Sequence, residues 1–353
     1  MFLYYLLMMM KMFALPYELI DEIIYFTENK VYELCLVCKY FNNKCKRIRI
    51  TDNDQHPAMA DKHLKEVKLE KLVLLSSLIT DEGASLLTNL TVLNLMSDSI
   101  TNKGISLLTN LTELDLYNSK IDNQGICALT NLTSLKLYRD RKITNEGLFP
   151  FINLISLDLF AVKSITDKGI DRITKLTSLG LRENNIITNK GIAELTNLTS
   201  LSLFSNKMIT NEGIFHLIKL KKLNLTDNTK ITNEGIAPLI NLTSLNLYNN
   251  LIITNEGIIP LTNLTSLDLS NYNLITDNAV STKIKSLSLF GNRQITDNKI
   301  SQLTNLTYLN LRENEIITNK GISKLTNLAT LCLYKNYLIT EEGIKNLTCK
   351  IIK

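Results

Sequence analysis

A unit of about 22 residues recurs along this chain and limits its fold more than any other feature. The stretches LTNLTSLDLSNYNLITDNAV, LTNLTYLNLRENEIITNKGI and LTNLATLCLYKNYLITEEGI are variants of that unit. Thirteen units follow one another from Leu69 onward, mostly 22 residues apart, with three early spacings of 21 and a later spacing of 20. A unit of this size cannot bury its own apolar face and must stack on its neighbours. The sequence therefore predicts a solenoid, an architecture suited to holding a partner.

Each unit is predicted to contain one strand and one short helix. Leu198, Leu201 and Leu203 alternate with polar residues, which is the period of a half-buried strand. The phrase at 209–214 is typical of a helix start, with Thr210 as a plausible N-cap. We expect an α/β fold in which the strands form a parallel sheet on a concave side and the helices lie on a convex side.

An asparagine recurs three positions after the last strand leucine. At a buried turn its amide can satisfy backbone groups that would otherwise lack partners. It occurs at Asn184, Asn206, Asn228, Asn250, Asn292, Asn314 and Asn336, and Ser77, Asp98, Ser119 and Asp140 hold the same place earlier. Val162 and Tyr272 cannot replace the amide, so the sequence predicts local loosening at these two turns.

The pattern LxxLxLxxN followed by ITxxGI resembles the leucine-rich repeats, in particular the cysteine-containing subclass found in F-box proteins. The present units are about four residues shorter than that subclass, and asparagine replaces its usual cysteine. The resemblance covers nearly four fifths of the chain. It implies a horseshoe-shaped leucine-rich-repeat solenoid and, for function, binding.

Residues 15–41, LPYELIDEIIYFTENKVYELCLVCKYF, resemble the F-box, a short helical motif that begins LPxELxxxIxxxL and ends LxxVCKxW. The middle is one residue shorter than usual, Thr27 stands where a leucine is expected, and Phe41 replaces the tryptophan. In that family the motif docks on the Skp adaptor of cullin–RING ubiquitin ligases, and the repeats hold a substrate for ubiquitin transfer. The resemblance assigns adaptor binding to Leu15, Pro16, Glu18, Leu19, Ile23, Val37, Cys38 and Phe41.

A helical cap over the first repeat is a compatible interpretation of the same segment, because the open ends of solenoids need covering. About 35 residues cannot form a self-sufficient core, so the apolar stripe of this segment needs the repeats or a partner. The expected organisation is an N-terminal extension at 1–12, the F-box-like motif at 13–46, a connector at 47–66 and about 13 repeats at 67–353. Within the connector, residues 47–50 can add an edge strand.

The position directly after the last strand leucine faces solvent on the predicted concave side. Seven of its thirteen residues are aromatic, although aromatic residues form 7% of the chain. Aromatic and arginine side chains are favoured at protein-binding hot spots. The alternative is that the rings pack on one another and stiffen the sheet. The candidate substrate-binding residues are Tyr117, Tyr138, Phe160, Arg182, Phe204, Tyr248, Phe290, Arg312 and Tyr334.

Charge and chemistry narrow the class of partner. The net charge of +5 is mild and the charges in the neighbouring columns nearly balance, whereas a nucleic-acid groove needs a clear positive excess. No phosphate-binding loop, nucleophile elbow or catalytic cysteine pattern occurs. Cys35 and Cys38 form a CxxC, but a zinc site normally needs four ligands. We therefore expect a protein or peptide partner, no nucleic acid, no membrane, no cofactor, no metal and no intrinsic catalysis.

The expected compartment is the cytoplasm or nucleus. Six irregularly placed cysteines do not form a disulfide framework. The apolar run at 2–10 is too short to span a bilayer and lacks the features of a signal peptide, so it is interpreted as an extension upstream of a start at Met12. The sequons that begin at Asn89, Asn110 and Asn131 are interpreted as packing residues of the repeat.

Three other functions remain compatible with the sequence. A scaffold or inhibitor would not bind the Skp adaptor. A regulator similar to the Ran GTPase-activating proteins would need Arg182 or Arg312 beside a GTPase. A secreted or surface protein would use residues 1–12 as its signal.

Overall fold

The computed structural model describes residues 47–50, 70–74, 79–96, 98–117, 119–271 and 273–353, of which 47–50 and Leu74 are described by their backbone alone. The chain divides into two compact units, residues 1–173 and 174–353. The F-box-like motif at 13–46 lies outside the described residues. So do Leu75, Ser77 and Tyr272.

The strands of each unit form a parallel sheet in which every strand pairs with the next one along the chain. In the described part of the first unit these are β1 Arg47–Ile50, β2 Lys71–Leu74, β3 Val92–Leu95, β4 Glu113–Tyr117, β5 Ser134–Tyr138 and β6 Ser156–Phe160. In the second unit they are β7 Ser178–Gly180, β8 Ser200–Ser202, β9 Lys222–Asn224, β10 Ser244–Asn246, β11 Ser266–Asp268, β12 Ser286–Ser288, β13 Tyr308–Asn310, β14 Thr330–Cys332 and β15 Lys350–Ile352.

A short helix of about one turn follows most strands. In the described part of the first unit the helices span Asp81–Ser85, Asn102–Ile105, Asn123–Ile126, Asn145–Leu148 and Asp167–Ile170. In the second unit they span Asn189–Ile192, Asn211–Ile214, Asn233–Ile236, Asn255–Ile258, Asp297–Ile300, Asn319–Ile322 and Glu341–Ile344, and a 3-10 turn spans Asp277–Ala279. Among the described residues, none of these helices is long and apolar enough to cross a bilayer.

The leucine and isoleucine positions of the repeat form the core of each unit. Leu198, Leu201 and Leu203 are buried, as the alternation predicted, and Ile214 and Leu217 of the same repeat are buried as well. Within a compact unit, the buried residues of one repeat lie beside those of the next repeat, in register along the sheet. The predicted solenoid of stacked strand–helix units is therefore confirmed in each part.

Two local predictions agree with the structure. Thr210 has the extended backbone of an N-cap directly before the helix Asn211–Ile214. Residues 47–50 form strand β1, which pairs with β2. That strand lies inside the segment predicted as a connector.

A left-handed residue followed by the predicted asparagine ends the strand in most repeats. Asp227, for example, has a φ of 49° and directly precedes Asn228. The backbone N–H groups of Lys230 and Ile231 both donate to Oδ1 of Asn228, at 3.0 Å each. Nδ2 of Asn228 donates to the carbonyl of Asn206 in the preceding repeat at 3.0 Å. The asparagine therefore fixes its own turn and joins it to the one before.

The early turns differ from the sequence prediction in one respect. Asp98 is exposed and does not act as a buried ladder residue. The next residue, Ser99, instead donates through Oγ to the carbonyl of Ile79 in the preceding repeat at 2.7 Å. Asp140 is fully buried and accepts the N–H groups of Lys142 and Ile143, and Oγ of Ser119 donates to its second oxygen at 3.2 Å.

The turn near Tyr272 also needs a correction. The neighbouring Asn273 is buried, and its Oδ1 accepts the N–H of Ile275 at 3.1 Å. An amide therefore serves this turn, one position later than the sequence alignment placed it. At the other exceptional turn, Val162 is buried, and its predicted loosening stays a prediction.

A second polar ladder runs along the helix starts and was not predicted. Oδ1 of Asn211 accepts the N–H of Thr232 at 2.9 Å, and Nδ2 of Asn211 donates to Oγ1 of Thr232 at 2.7 Å. The same pair of bonds joins Asn233 to Thr254. Within each compact unit, the first residue of a helix thus holds the N-cap of the repeat that follows it.

The NLT phrase forms two further ladders. Nδ2 of Asn131 donates to the carbonyl of Thr109 at 2.9 Å, and Oγ1 of Thr133 donates to the carbonyl of Thr112 at 3.2 Å. Nδ2 of Asn110 makes the equivalent bond to Thr88. These bonds give the sequon asparagines the structural role that the sequence indicated.

Candidate functional site

The candidate site is the sheet face, which consists of the solvent-facing side chains of the strands together with the residue directly after the last strand leucine of each repeat. Parallel pairing in register brings the same position of successive repeats side by side. Tyr117, for example, pairs with Tyr138, and Tyr138 pairs with Phe160. Each compact unit therefore displays its predicted binding residues in a row along its own part of the sheet.

The first unit brings three of the predicted residues into contact. The rings of Tyr117 and Tyr138 stack with centroids 5.9 Å apart, and Tyr138 meets Phe160 edge to face at 6.1 Å. The guanidinium of Arg139 lies 5.7 Å from the Phe160 centroid. The rings therefore pack on one another, while Tyr117 stays 38% exposed, and their role in binding stays a prediction.

An ion pair neutralises the polar row beside those rings. Nζ of Lys136 donates to Oδ2 of Asp115 at 3.1 Å. That bond and the charge of Asp115 raise the pKa of Lys136, although partial burial acts against the shift. Two charged residues of this row, Lys136 and Asp115, therefore pair within the protein.

In the second unit, Tyr248 and Phe290 lie two residues past the ends of strands β10 and β12, which flank β11. Their rings are nearly parallel, with an interplanar angle of 16° and centroids 6.4 Å apart. The repeat between them carries Ser270, which is 1% exposed. A small residue at this position leaves room for the rings of the two neighbouring repeats to approach each other.

The other predicted residues of the second unit do not join that pair. Arg312 lies over the Tyr334 ring at 5.1 Å, and Nζ of Lys335 lies 5.3 Å from the same centroid. Lys335 also pairs with Glu313 at 3.2 Å, which raises the pKa of the lysine. Phe204 and Arg182 are half-buried.

A row of polar side chains borders the aromatic pair. Oδ1 of Asp268 accepts the N–H of Ser270 at 2.9 Å, and Oγ of Ser270 lies 2.8 Å from Oγ of Ser288. Nδ2 of Asn310 donates to that Ser288 hydroxyl at 3.0 Å. Burial raises the pKa of Asp268 despite its bonds to Ser270 and Ser288.

Sequence reasoning placed Ser270 and Asp268 on the sheet face but did not single out either one. The available signal was the contrast with neighbouring repeats, which carry Asn224, Asn246 and Asn310 where Asp268 stands. Cys35 and Cys38 lie outside the described residues. In the part of the chain that the structure describes, no group of three or more His, Cys, Asp or Glu residues could hold a metal ion.

Comparisons with known proteins agree with this architecture. The family model described as Leucine Rich repeat matches residues 194–215, 216–240 and 302–325. No curated protein sequence matches the chain.

Two solved structures are similar over most of the chain. An internalin of Listeria monocytogenes is 31% identical, with 77% of this chain and 82% of the internalin covered and a TM-score of 0.55. A leucine-rich-repeat protein of Leptospira interrogans is 24% identical, with 93% of both chains covered and a TM-score of 0.59. The second likeness concerns the fold alone.

Proposed function

The chain belongs to the leucine-rich-repeat proteins, and we propose that it is a protein-binding receptor that delivers its partner to a cullin–RING ubiquitin ligase. In this proposal the sheet face binds a protein substrate, and residues 13–46 dock on a Skp-type adaptor. The chain itself carries out no catalysis. It raises the effective concentration of substrate lysines near the ligase's catalytic subunits, in the cytoplasm or nucleus.

The observation that carries the binding part is the set of aromatic side chains on the sheet face. Tyr117, the last residue of strand β4, and Tyr334, two residues past β14, are 38% and 44% exposed. Aromatic residues supply large contact area and dominate the energetics of protein interfaces. The adaptor part rests on the sequence resemblance of residues 15–41 to the F-box.

A photo-crosslinking experiment tests the binding part. The full chain would carry a photoreactive phenylalanine at Phe204 on the sheet face, or at Phe215 beside a helix as the matched control. Phe215 is 50% exposed, so the control position is accessible. Protein adducts at position 204 and not at 215 are expected after illumination in cells. Equal adducts at both positions, or adducts at 215 alone, would contradict a binding role for the sheet face.

Co-purification tests the adaptor part. The full chain is expected to retain a Skp adaptor, and a Leu15→Ala/Pro16→Ala variant is expected to lose it while keeping its circular dichroism spectrum. Failure of the folded parent to bind would favour the alternative, a leucine-rich-repeat scaffold or inhibitor whose N-terminal segment is a helical cap.

A further inference from the structure

The fold does not require a carboxylate at position 268. Asn224, Asn246 and Asn310 occupy the same position in other repeats of the second unit. Each of them accepts, through Oδ1, the backbone N–H of the residue two positions later, at 2.9, 2.8 and 3.1 Å. Asp268 makes the equivalent bond to Ser270 at 2.9 Å. An asparagine would make this bond as well, so the negative charge of Asp268 adds nothing to the turn.

The charge of Asp268 also has no counter-ion among the residues that the structure describes. The side chain is half-buried, and no lysine, arginine or histidine of the described residues lies within 4 Å of its carboxylate. Its neighbours are the Ser270 and Ser288 hydroxyls. Asp115, on the sheet face of the first unit, has Lys136 at 3.1 Å. Because burying an unpaired charge costs free energy, its retention here needs a separate reason.

The nearby aromatic pair also lacks a cation. Phe160 has Arg139 over its ring, and Tyr334 has both Arg312 and Lys335. In the described part of the chain no such cation lies over the stacked rings of Tyr248 and Phe290. These two rings, whose faces are electron-rich, lie one repeat on either side of Asp268 and Ser270.

We propose that Tyr248, Phe290 and Asp268 form a subsite for an arginine side chain of the protein that binds the sheet face. A guanidinium is planar, stacks on aromatic rings and donates a fork of N–H bonds to a carboxylate. The local charge fits this occupant, since the sheet-face side chains from Asn224 to Phe290 include the carboxylate of Asp268 and no basic residue. The inference rests on the proposed function, because it names the chemistry of the partner at the same face.

The test uses peptides selected on the full chain from a random nine-residue phage library. We expect arginine to be enriched in the selected peptides. Replacing that arginine with citrulline, its neutral isostere, is expected to weaken binding of the peptide to the parent chain by about tenfold or more. Fluorescence anisotropy measures this affinity. The same replacement is expected to change binding little in an Asp268→Asn variant. Phe215→Ala, beside a helix and away from the sheet face, is the matched control and should leave the tenfold effect intact.

Three outcomes would overturn the inference, and they separate the subsite from the proposed function. Peptides that bind without arginine enrichment and lose affinity in a Phe204→Ala variant, but not in Asp268→Asn, would overturn the arginine subsite and leave the proposed function standing. An equal citrulline effect in parent and Asp268→Asn would do the same. Selection of no peptide dependent on the sheet face would count against the proposed function and the subsite together.

Discussion

At the glycine position of the ITNxG phrase, the space for a side chain is limited by an asparagine of the preceding repeat. A Cβ added to Gly235 would lie 2.4 Å from Oδ1 of Asn211, which is bonded to the N–H of Thr232. The glycine of the ITNxG phrase is therefore required by the ladder of the preceding helix start and not by its own backbone angles. Two repeats lack this glycine: Ala279 takes its position in the 3-10 turn, and Lys299 takes it in the α-helix Asp297–Ile300, which directly follows that irregular turn.

Gly235→Ala is accordingly expected to destabilise the protein by about 1–3 kcal/mol, because the added methyl group displaces Asn211. Intrinsic helix propensity acts the other way, since alanine is favoured over glycine by up to about 1 kcal/mol. Urea denaturation followed by circular dichroism measures the difference. In a double-mutant cycle, Asn211→Ala should cost less in the Gly235→Ala background than in the parent. A more stable Gly235→Ala variant would show that the clash is relieved without loss.

Asp268 offers a second test at the residue scale. Burial raises its pKa above the ordinary value of 3.8, so the folded state holds the proton more tightly than the unfolded state. The carboxylate therefore lowers stability progressively as the pH rises through the raised pKa, and the cost disappears below the ordinary value. Asp268→Asn is expected to raise the melting temperature at pH 7, with a smaller gain at pH 4.

The matched control for that prediction is Asn246→Asp, which adds a carboxylate at the same position of the preceding repeat. Its melting temperature at pH 7 should fall relative to the parent. If Asp268→Asn instead melts lower than the parent at pH 7, a stabilising partner of the carboxylate is operating in solution.

At the scale of the structural element, the asparagine ladder is expected to supply much of the cohesion between repeats. Asn228 is buried and contacts four backbone groups, namely the N–H groups of Lys230 and Ile231 and the carbonyls of Leu203 and Asn206. A buried group left without its bond costs about 1–3 kcal/mol. Asn228→Ala is therefore expected to destabilise by roughly 3 kcal/mol or more in urea denaturation.

Asn305 provides the comparison for this prediction. It also donates to the preceding repeat, at 3.3 Å to the carbonyl of Thr282, but it is exposed. Water can replace that bond, so Asn305→Ala should cost under about 1 kcal/mol. Similar costs for the two substitutions would mean that burial of the Asn228 amide contributes little.

The turn at Val162 lacks the side-chain amide that the ladder uses elsewhere. At the equivalent turn, Asn206 accepts the N–H groups of Met208 and Ile209 at 3.0 and 2.9 Å. A valine side chain offers no acceptor, and one lost bond corresponds to about 1 kcal/mol of local opening free energy. Amide hydrogens of residues 160–165 are expected to exchange roughly tenfold faster than those of 204–209. Exchange at 160–165 that is no faster would refute the prediction.

For the molecule as a whole, the buried apolar positions could be predicted from the sequence, whereas most hydrogen bonds between repeats could not. Leucine and isoleucine positions could be assigned because burial alone dictates their period. The bridge from Asn211 to Thr232 depends on two residues 21 positions apart that meet only when repeats stack. A polar residue that recurs at one position of every repeat lies near its copies in the neighbouring repeats. That rule would have predicted rows of hydrogen bonds along the stack.

The same limit applies to the candidate site. The sequence placed Tyr248 and Phe290 in one column, but their approach over Ser270 depends on side-chain directions that periodicity does not fix. Nor does the pattern reveal which charges pair. Asp115 and Asp268 occupy equivalent positions of the repeat, yet only Asp115 has a lysine beside it among the described residues.

The proposed receptor uses two separate parts of the chain, and this separation gives the last prediction. If residues 13–46 bind the adaptor and the sheet face binds the substrate, each activity should be removable alone. Tyr248→Ala/Phe290→Ala is expected to lose the selected peptides and retain the adaptor. Leu15→Ala/Pro16→Ala is expected to lose the adaptor and retain the peptides. Both binding reactions would be measured on all three full-length chains, with circular dichroism as the check of folding.

The combined result also constrains the mechanism. Two independent binding reactions allow the adaptor and the substrate to be held at once, which is what a rise in effective concentration requires. A variant that loses both activities while staying folded would contradict this division, because it would mean that one surface serves both partners. In that case adaptor and substrate would compete for the chain, and the protein would act as an inhibitor of whichever one it bound.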